Sequence, residues 1–304
     1  MKIGFTTGYY EEFWAGWPWS RQYGGSEHLV VEVACELATQ GHRVTVRVPR
    51  KLPEERVWRG VRWIGANWES QAYDILFSSD DYAPQDKGES RVLVVQRWAP
   101  VQHTRFDEVT FMSSYHATQL GFPSATVIGG GVRIADYALK VARRPRGVLY
   151  ASSPDRGGHH AAAIGKMFDF HATYRGADEV TRDELILEQK AAKVLIHPCD
   201  PAVPSEAFSM AVLEAMAAGT PCVISDADAL PELWADAAVI LPRPIRYSEW
   251  AATIEDLLSS RERWMGCHYL GLDKAALYDW PVVASRYLAL AAGKGERRGA
   301  SLLR

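Results

Sequence analysis

Ser205-Glu-Ala-Phe-Ser-Met-Ala-Val-Leu-Glu-Ala-Met-Ala-Ala-Gly-Thr-Pro-Cys-Val-Ile-Ser225 decides the fold class. Before it, Lys193-Val-Leu-Ile-His197 is a short apolar run with the length of a strand. Within it, the spacing predicts a helix over Ser209–Ala218, closed by Gly219, and then a strand over Pro221–Ser225. Strand, helix, strand at this rhythm is a parallel α/β unit. The helix start therefore lies at the carboxyl edge of a sheet, where α/β folds bind their ligands. The backbone N–H groups of Phe208, Ser209 and Met210 are expected to form an anion site there, reinforced by the helix dipole. Glu206 stands just before that positive end. Glu214 lies about two turns into the helix between Leu213 and Met216, and a carboxylate among apolar neighbours needs a compensating partner.

The same rhythm extends in both directions. Upstream, strands are expected at Lys2–Thr6, Val44–Val48, Tyr73–Phe77, Val92–Val95, Val109–Met112 and Ala125–Ile128, with a helix over His28–Thr39 ended by Gly41. Arg143-Arg-Pro-Arg146 reads as a linker. Beyond it come a strand at Gly147–Ala151, a helix at Gly158–Phe168, a strand near Ala172–Arg175 and a helix at Glu184–Ala192. A strand at Ala237–Leu241 and helices at Tyr247–Ser260 and Trp280–Leu290 follow the quoted stretch. The fold class is α/β: two Rossmann-like doubly wound lobes with an interlobe cleft. The expected division is residues 1–143, residues 144–280, and a closing segment 281–304 with a disordered tail.

Composition narrows the function. With 304 residues the chain exceeds what one hydrophobic core usually serves. Lys and Arg total 34 against 37 Asp and Glu, a net charge of -3, which excludes a generally basic nucleic-acid coat but not a local basic groove. Runs such as Val92–Val95 are too short to span a membrane and Met1–Gly8 lacks a signal-peptide core, so a cytoplasmic location is expected. Cys35, Cys199, Cys222 and Cys267 are widely spaced and read as free thiols. Neither the spacing of the 9 histidines nor an Asp-x-Asp motif suggests a metal-held diphosphate, so no metal site and no cofactor are expected. A dinucleotide-binding oxidoreductase is disfavoured, because no G-x-G-x-x-G turn follows the first strand.

Glu206, seven residues, Glu214, then Ala-Met-Ala and Gly-x-Pro, resembles the signature of retaining glycosyltransferases of family 4. The resemblance implies the GT-B fold, with a nucleoside diphosphate sugar held mainly by the second lobe. It implies that Glu206 contacts donor-sugar hydroxyls beside the reacting carbon, that Ala207, Phe208 and Ser209 meet the diphosphate through the backbone, and that Glu214 binds the ribose hydroxyls. Gly24-Gly25-Ser26-Glu27 resembles the first-lobe glycine loop, where a missing Cβ lets backbone approach a diphosphate. Gly129-Gly-Gly-Val-Arg133 resembles the segment ending the first lobe. Ser152-Ser-Pro-Asp-Arg-Gly157 resembles the second-lobe opening of a sub-branch, with Ser153 and Arg156 toward the leaving diphosphate. A guanidinium there stabilises negative charge as the glycosidic bond breaks. Tyr278-Asp-Trp280 through Arg286-Tyr-Leu288 resembles the closing helix.

The chain departs from that pattern after Val92–Val95. Where many members carry a histidine near the acceptor, it reads Gln96-Arg97-Trp98. His103 is the catalytic alternative, and Arg97 is expected on the acceptor side. So are Trp14, Trp17 and Arg21, within an aromatic run that also holds Tyr9, Tyr10, Phe13, Trp19 and Tyr23. These rings either stack on the acceptor or order their own loop. The expected reaction moves a hexose to a saccharide, lipid-linked or small-molecule hydroxyl, with retention. Two alternatives stand beside it: an acceptor hydroxyl on a hydroxymethylated DNA base, everted and stacked, and a noncatalytic sugar-nucleotide-binding protein.

Overall fold

A computed structural model describes residues 1–7, 24–80, 86–101, 103–143, 147–173 and 180–293. The chain divides into two compact units. One holds the strand at the N-terminus, Gly25–Gly130 and the helix from Trp280; the other holds Gly131–Asp279. The division falls inside the glycine run that reads as the end of the first lobe. Residues 131–143, expected in the first lobe, pack with the second.

Unit 1 contains β1 (Lys2–Thr7), α1 (Gly25–Thr39), β2 (Arg43–Arg47), β3 (Arg56–Trp58), β4 (Val61–Ile64), β5 (Ala72–Ser79), β6 (Lys87–Val95), β7 (Glu108–Phe111), α2 (Ser114–Gln119) and β8 (Thr126–Val127). Among the described residues its sheet runs β3-β4-β2-β1-β5-β6-β7-β8. Every pairing is parallel except β3 with β4. That hairpin went unread in the sequence. Its two-residue turn places Arg59 at φ 48° and Gly60 at φ 77°, the left-handed pair that suits a tight hairpin. At the end of β2, Arg47 and Asp86 form a buried bidentate pair, with Nε and Nη2 donating at 2.6 and 2.7 Å. The remaining guanidinium donors go to the carbonyls of Gly65, Trp68 and Glu69, so the buried charge is satisfied.

Unit 2 contains β9 (Gly147–Tyr150), α3 (Gly158–Gly165), β10 (Asp169–Ala172), α4 (Arg182–Ala191), β11 (Val194–His197), α5 (Met210–Ala217), β12 (Cys222–Ser225), α6 (Leu230–Trp234), β13 (Val239–Leu241), α7 (Tyr247–Ser259) and α8 (Arg261–Ala276). The sheet is parallel in the order β10-β9-β11-β12-β13. Val148, Val194, Ile196 and Val223 face Ala161 and Ile164 of α3 and Trp250, Ile254 and Leu257 of α7 to form its core. Two expectations shift. The helix expected to Phe168 stops at Gly165, against which Phe170 of β10 packs so closely that a Cβ there would collide with its ring. The strand expected near Ala172–Arg175 therefore lies earlier, at Asp169–Ala172.

Arg143, expected in a solvated linker, is pinned. Its guanidinium donates to the carbonyls of Ala192, Ala218 and Gly219 and to the Thr220 hydroxyl, and lies over Trp264. Finally α9 (Trp280–Ala291) returns to unit 1, where the Tyr287 hydroxyl donates to Gly129 O at 3.1 Å and Ser90 donates to Ala291 O at 2.9 Å.

Candidate active site

The carboxyl ends of β9, β11 and β12 converge on Glu206, which has no exposed surface. One of its oxygens, Oε1, accepts from Arg156 Nη1 and from His197 Nε2, both at 3.0 Å. Because a carboxylate only accepts, Nε2 of His197 is the protonated ring nitrogen. The other oxygen, Oε2, is buried and has no hydrogen-bond partner among the described residues. A native structure rarely leaves a buried carboxylate oxygen open without a use for it.

Local sequence explains the placement. Arg156 stands in the turn from β9 to α3. Gly157 follows at φ 94°, and a Cβ there would sit 2.1 Å from the Pro198 carbonyl oxygen. Only glycine lets this turn press against the end of β11. His197 ends β11, and its ring stacks on Tyr150 with centroids 6.4 Å apart. The backbone of Glu206 is held from the far side by Asp228, whose Oδ2 accepts from Ser205 N at 2.7 Å and Glu206 N at 2.9 Å. Asp228 adopts φ 50°, a left-handed conformation that aspartate tolerates better than most residues.

Electrostatics follow from this geometry. Burial pushes the Glu206 carboxyl up, but the Arg156 guanidinium and the His197 bond outweigh it and hold the group below the usual carboxylate range. Glu206 in turn raises Arg156 against its own burial. Donor atoms of His197, Cys199 and Glu206 lie within 4.8 Å of one another. Arg156 already neutralises the carboxylate and His197 Nε2 is spent on it, which makes this trio a poor cation site. Burial, with Glu206 nearby, pushes the Cys199 thiol up to about 12. The Asp-x-Asp spelling Asp226-Ala-Asp228 is likewise consumed internally, since Asp226 Oδ1 accepts from Arg243 N and Nε at 3.0 and 3.2 Å.

After Glu206, Phe208 is buried edge-on against Trp234 and Tyr278, and its carbonyl accepts from Trp234 Nε1 at 3.0 Å. This fixes the backbone where it turns into α5. Ser209 occupies the N-cap at φ 66° and makes no side-chain capping bond; its Oγ is buried with no partner among the described residues. The first N–H groups of α5 thus receive no bond from the cap side chain. Glu214 is 2% exposed. Its compensating partners come from α4. Gln189 Nε2 donates to Oε2 at 3.2 Å, and Arg182 Nη1 stands 3.5 Å from Oε1 while its Nη2 donates to Asp136 at 2.9 Å.

The structure thus brings Arg156, Glu206, Ala207, Phe208, Ser209 and Glu214 to one edge of unit 2. Ser153 is in the same turn as Arg156, donating its hydroxyl to Asp155. His197, Asp228, Gln189 and Arg182 were missed. The signal for His197 was a polar residue closing an otherwise apolar strand; the others had no sequence signature. Gly24 directly precedes α1, which opens at Gly25 in unit 1. Two further expected residues lie in unit 1. His103 lies exposed in a short 3-10 turn, its ring edge-on to Phe122. Arg97 is 57% exposed in its side chain and lies beside Asp80. Trp14, Trp17 and Arg21, with Tyr9, Tyr10, Phe13, Trp19 and Tyr23, lie outside the described residues, as does Arg175 at the end of the strand expected near Ala172–Arg175.

Residues 176–268, which include both glutamates, match the family model described as Glycosyl transferases group 1. The fold is GT-B. Sucrose-phosphate synthase from Thermosynechococcus elongatus is similar over 96% of this chain and 98% of its own, with a TM-score of 0.68 and 14% identity. HepE of Anabaena, solved in complex with UDP-glucose, covers 96% of this chain and 100% of its own at a TM-score of 0.62 and 15% identity. A phosphatidyl-myo-inositol mannosyltransferase of Mycobacterium leprae is 35% identical over 98 residues, 30% of this chain. That match spans 24% of the relative's length. No helix among the described residues is long and apolar enough to cross a membrane.

Proposed function

We propose that the protein is a retaining glycosyltransferase that moves a hexose from a nucleoside diphosphate sugar to an acceptor hydroxyl. The observation that carries this reading is the divided Glu206 carboxylate: Oε1 is clamped by Arg156 and His197, while Oε2 is buried and open. An open acceptor beside the N-terminus of α5 suits a sugar whose hydroxyls donate to Oε2 while its diphosphate takes the backbone N–H groups. Arg156, with 38% of its side chain exposed, has guanidinium donors left over for the departing β-phosphate. It supplies there the positive charge that a metal would otherwise bring, so the reaction is proposed to run without one. The task of the protein is orientation and charge stabilisation. Glu214 receives the ribose hydroxyls, and Gln189 and Arg182 hold it in place.

The test is a thermal-shift panel of nucleoside diphosphates followed by nucleotide sugars. A bound nucleotide at a hundredfold excess over its dissociation constant adds about 2.7 kcal/mol of stability. The matching nucleotide sugar should then release free diphosphate slowly in water and faster with an acceptor. A chain that no nucleoside diphosphate stabilises would refute the reading.

A further inference from the structure

Unit 1 holds a second carboxylate with an open oxygen, also at the carboxyl edge of its sheet. Asp80 directly follows β5 and is 7% exposed. Its backbone takes φ 48°, a left-handed conformation that aspartate, like Asp228, tolerates better than most residues. One oxygen is structural: Oδ1 accepts from Gln96 N at 2.8 Å and Arg97 N at 3.1 Å, fixing the turn that leaves β6. The other is open. Oδ2 is buried with no hydrogen-bond partner within range among the described residues, the Arg97 Nε being its ion-pair partner at 3.8 Å.

The surroundings extend the site. Gln96 Nε2 donates to Ser79 Oγ at 2.7 Å, so the residue after β6 is tied to the end of β5. Thr7 pairs in register with Ser79 and ends β1 with a buried hydroxyl that also lacks a partner among the described residues. On the other side the His116 ring meets the Arg97 carbonyl, Nε2 to O 3.1 Å. Burial pushes the Asp80 carboxyl up, against the bonds from Gln96 and Arg97. The group is thus kept where it costs stability, a mark of functional positions.

We infer that Asp80 binds a hydroxyl of a neutral polyhydroxylated acceptor, a saccharide, with Thr7 and Arg97 completing the subsite. The inference rests on the glycosyltransferase reading for the word acceptor. Open carboxylate and hydroxyl oxygens call for hydroxyl donors. The adjacent guanidinium balances the carboxylate, so the site carries little net charge and suits a neutral polyol better than an anion. This is also where the chain carries Gln96-Arg97-Trp98 instead of a histidine, so the acceptor hydroxyl meets a carboxylate one strand away.

Saturation-transfer NMR with methyl α-D-glucopyranoside, methyl α-D-mannopyranoside and maltose tests the inference. The intact protein should bind at least one of them. Asp80→Asn keeps Oδ1 and tolerates the left-handed backbone but presents an amide where Oδ2 was; it should weaken that binding at least tenfold. Arg97→Ala, at an exposed side chain, should weaken it several-fold and serves if the first variant folds poorly. Both should keep the full nucleotide-induced thermal shift. Absence of saccharide binding in the intact protein, or equal binding in both variants, would overturn the inference. Saccharide binding without any nucleotide binding would instead sink the glycosyltransferase reading and leave this subsite standing.

Discussion

Removing the Arg156 side chain strands a carboxylate that has no exposed surface. In Arg156→Ala, Glu206 keeps the bond from His197 but loses its cationic partner. Leaving one member of a buried pair uncompensated costs about 3–5 kcal/mol. The carboxyl can limit that cost by taking up a proton. Raising it from an ordinary value near 4.3 to neutrality costs about 1.4 kcal/mol per pH unit, roughly 3.7 kcal/mol in all, which caps the penalty of the stranded charge at pH 7; the stabilisation lost with the pair comes on top of it. The pH dependence then changes sign. In the intact protein the lowered Glu206 value contributes stability above the ordinary carboxylate range, and that contribution is lost as pH falls through the folded-state value. In the variant burial wins and the folded-state value rises, so the cost is absent in acid and grows as pH increases. Urea denaturation from pH 5 to pH 8 reads this directly: the midpoint of the variant should approach that of the intact protein toward pH 5 and diverge above it. Adding Glu206→Gln should restore most of the lost stability, because the double variant buries no charge. Glu206→Gln alone should cost about 1 kcal/mol or less, since Arg156 is partly exposed and can rehydrate. A loss that is the same at pH 5 and pH 8, or a double variant less stable than Arg156→Ala, would refute the argument.

Three other outcomes follow from the same geometry. Asp228→Ala frees the Ser205 and Glu206 N–H groups. It should cost about 1–3 kcal/mol in chemical denaturation and lower turnover more than donor affinity. Ser209→Gly relieves the left-handed cap at φ 66° and should raise stability by about 1 kcal/mol in thermal melts, while weakening nucleoside diphosphate binding through loss of the open Oγ. Gly157→Ala, whose Cβ would collide with the Pro198 carbonyl 2.1 Å away, should lower nucleotide affinity by displacing Arg156 even where circular dichroism shows the fold intact.

The βα rhythm was legible because both sheets are nearly all parallel and their strands are apolar runs between glycine and proline breaks. Val194–His197, Met210–Ala217 and Cys222–Ser225 fell within a residue or so of expectation. What escaped was local structure whose signal is not periodicity. The β3–β4 hairpin depends on two left-handed residues, one of them an arginine. Helix α8 buries only Gly271 and Ala275, so it has no apolar stripe to read. Arg143 sits in a run that looks like linker, yet carbonyls that face it only in the folded chain make it a buried donor. The site divided along the same line. Glu206, Glu214 and Arg156 were visible through a resemblance, because it places them at fixed spacings. His197 and Asp228 reach Glu206 from 9 and 22 residues away through the ends of β11 and β12, and Gln189 meets Glu214 across two helices. Such partners are set by topology, and no sequence window contains them.

Donor turnover by Glu206→Gln, measured beside donor affinity, tests the account most directly. The amide keeps an oxygen for Arg156 but removes the charge, and it can present N–H groups where Oε2 now stands. Turnover should fall by about a hundredfold to a thousandfold while nucleoside diphosphate affinity stays within a few-fold of the intact protein. A variant that transfers sugar at the original rate would contradict the role assigned to this carboxylate.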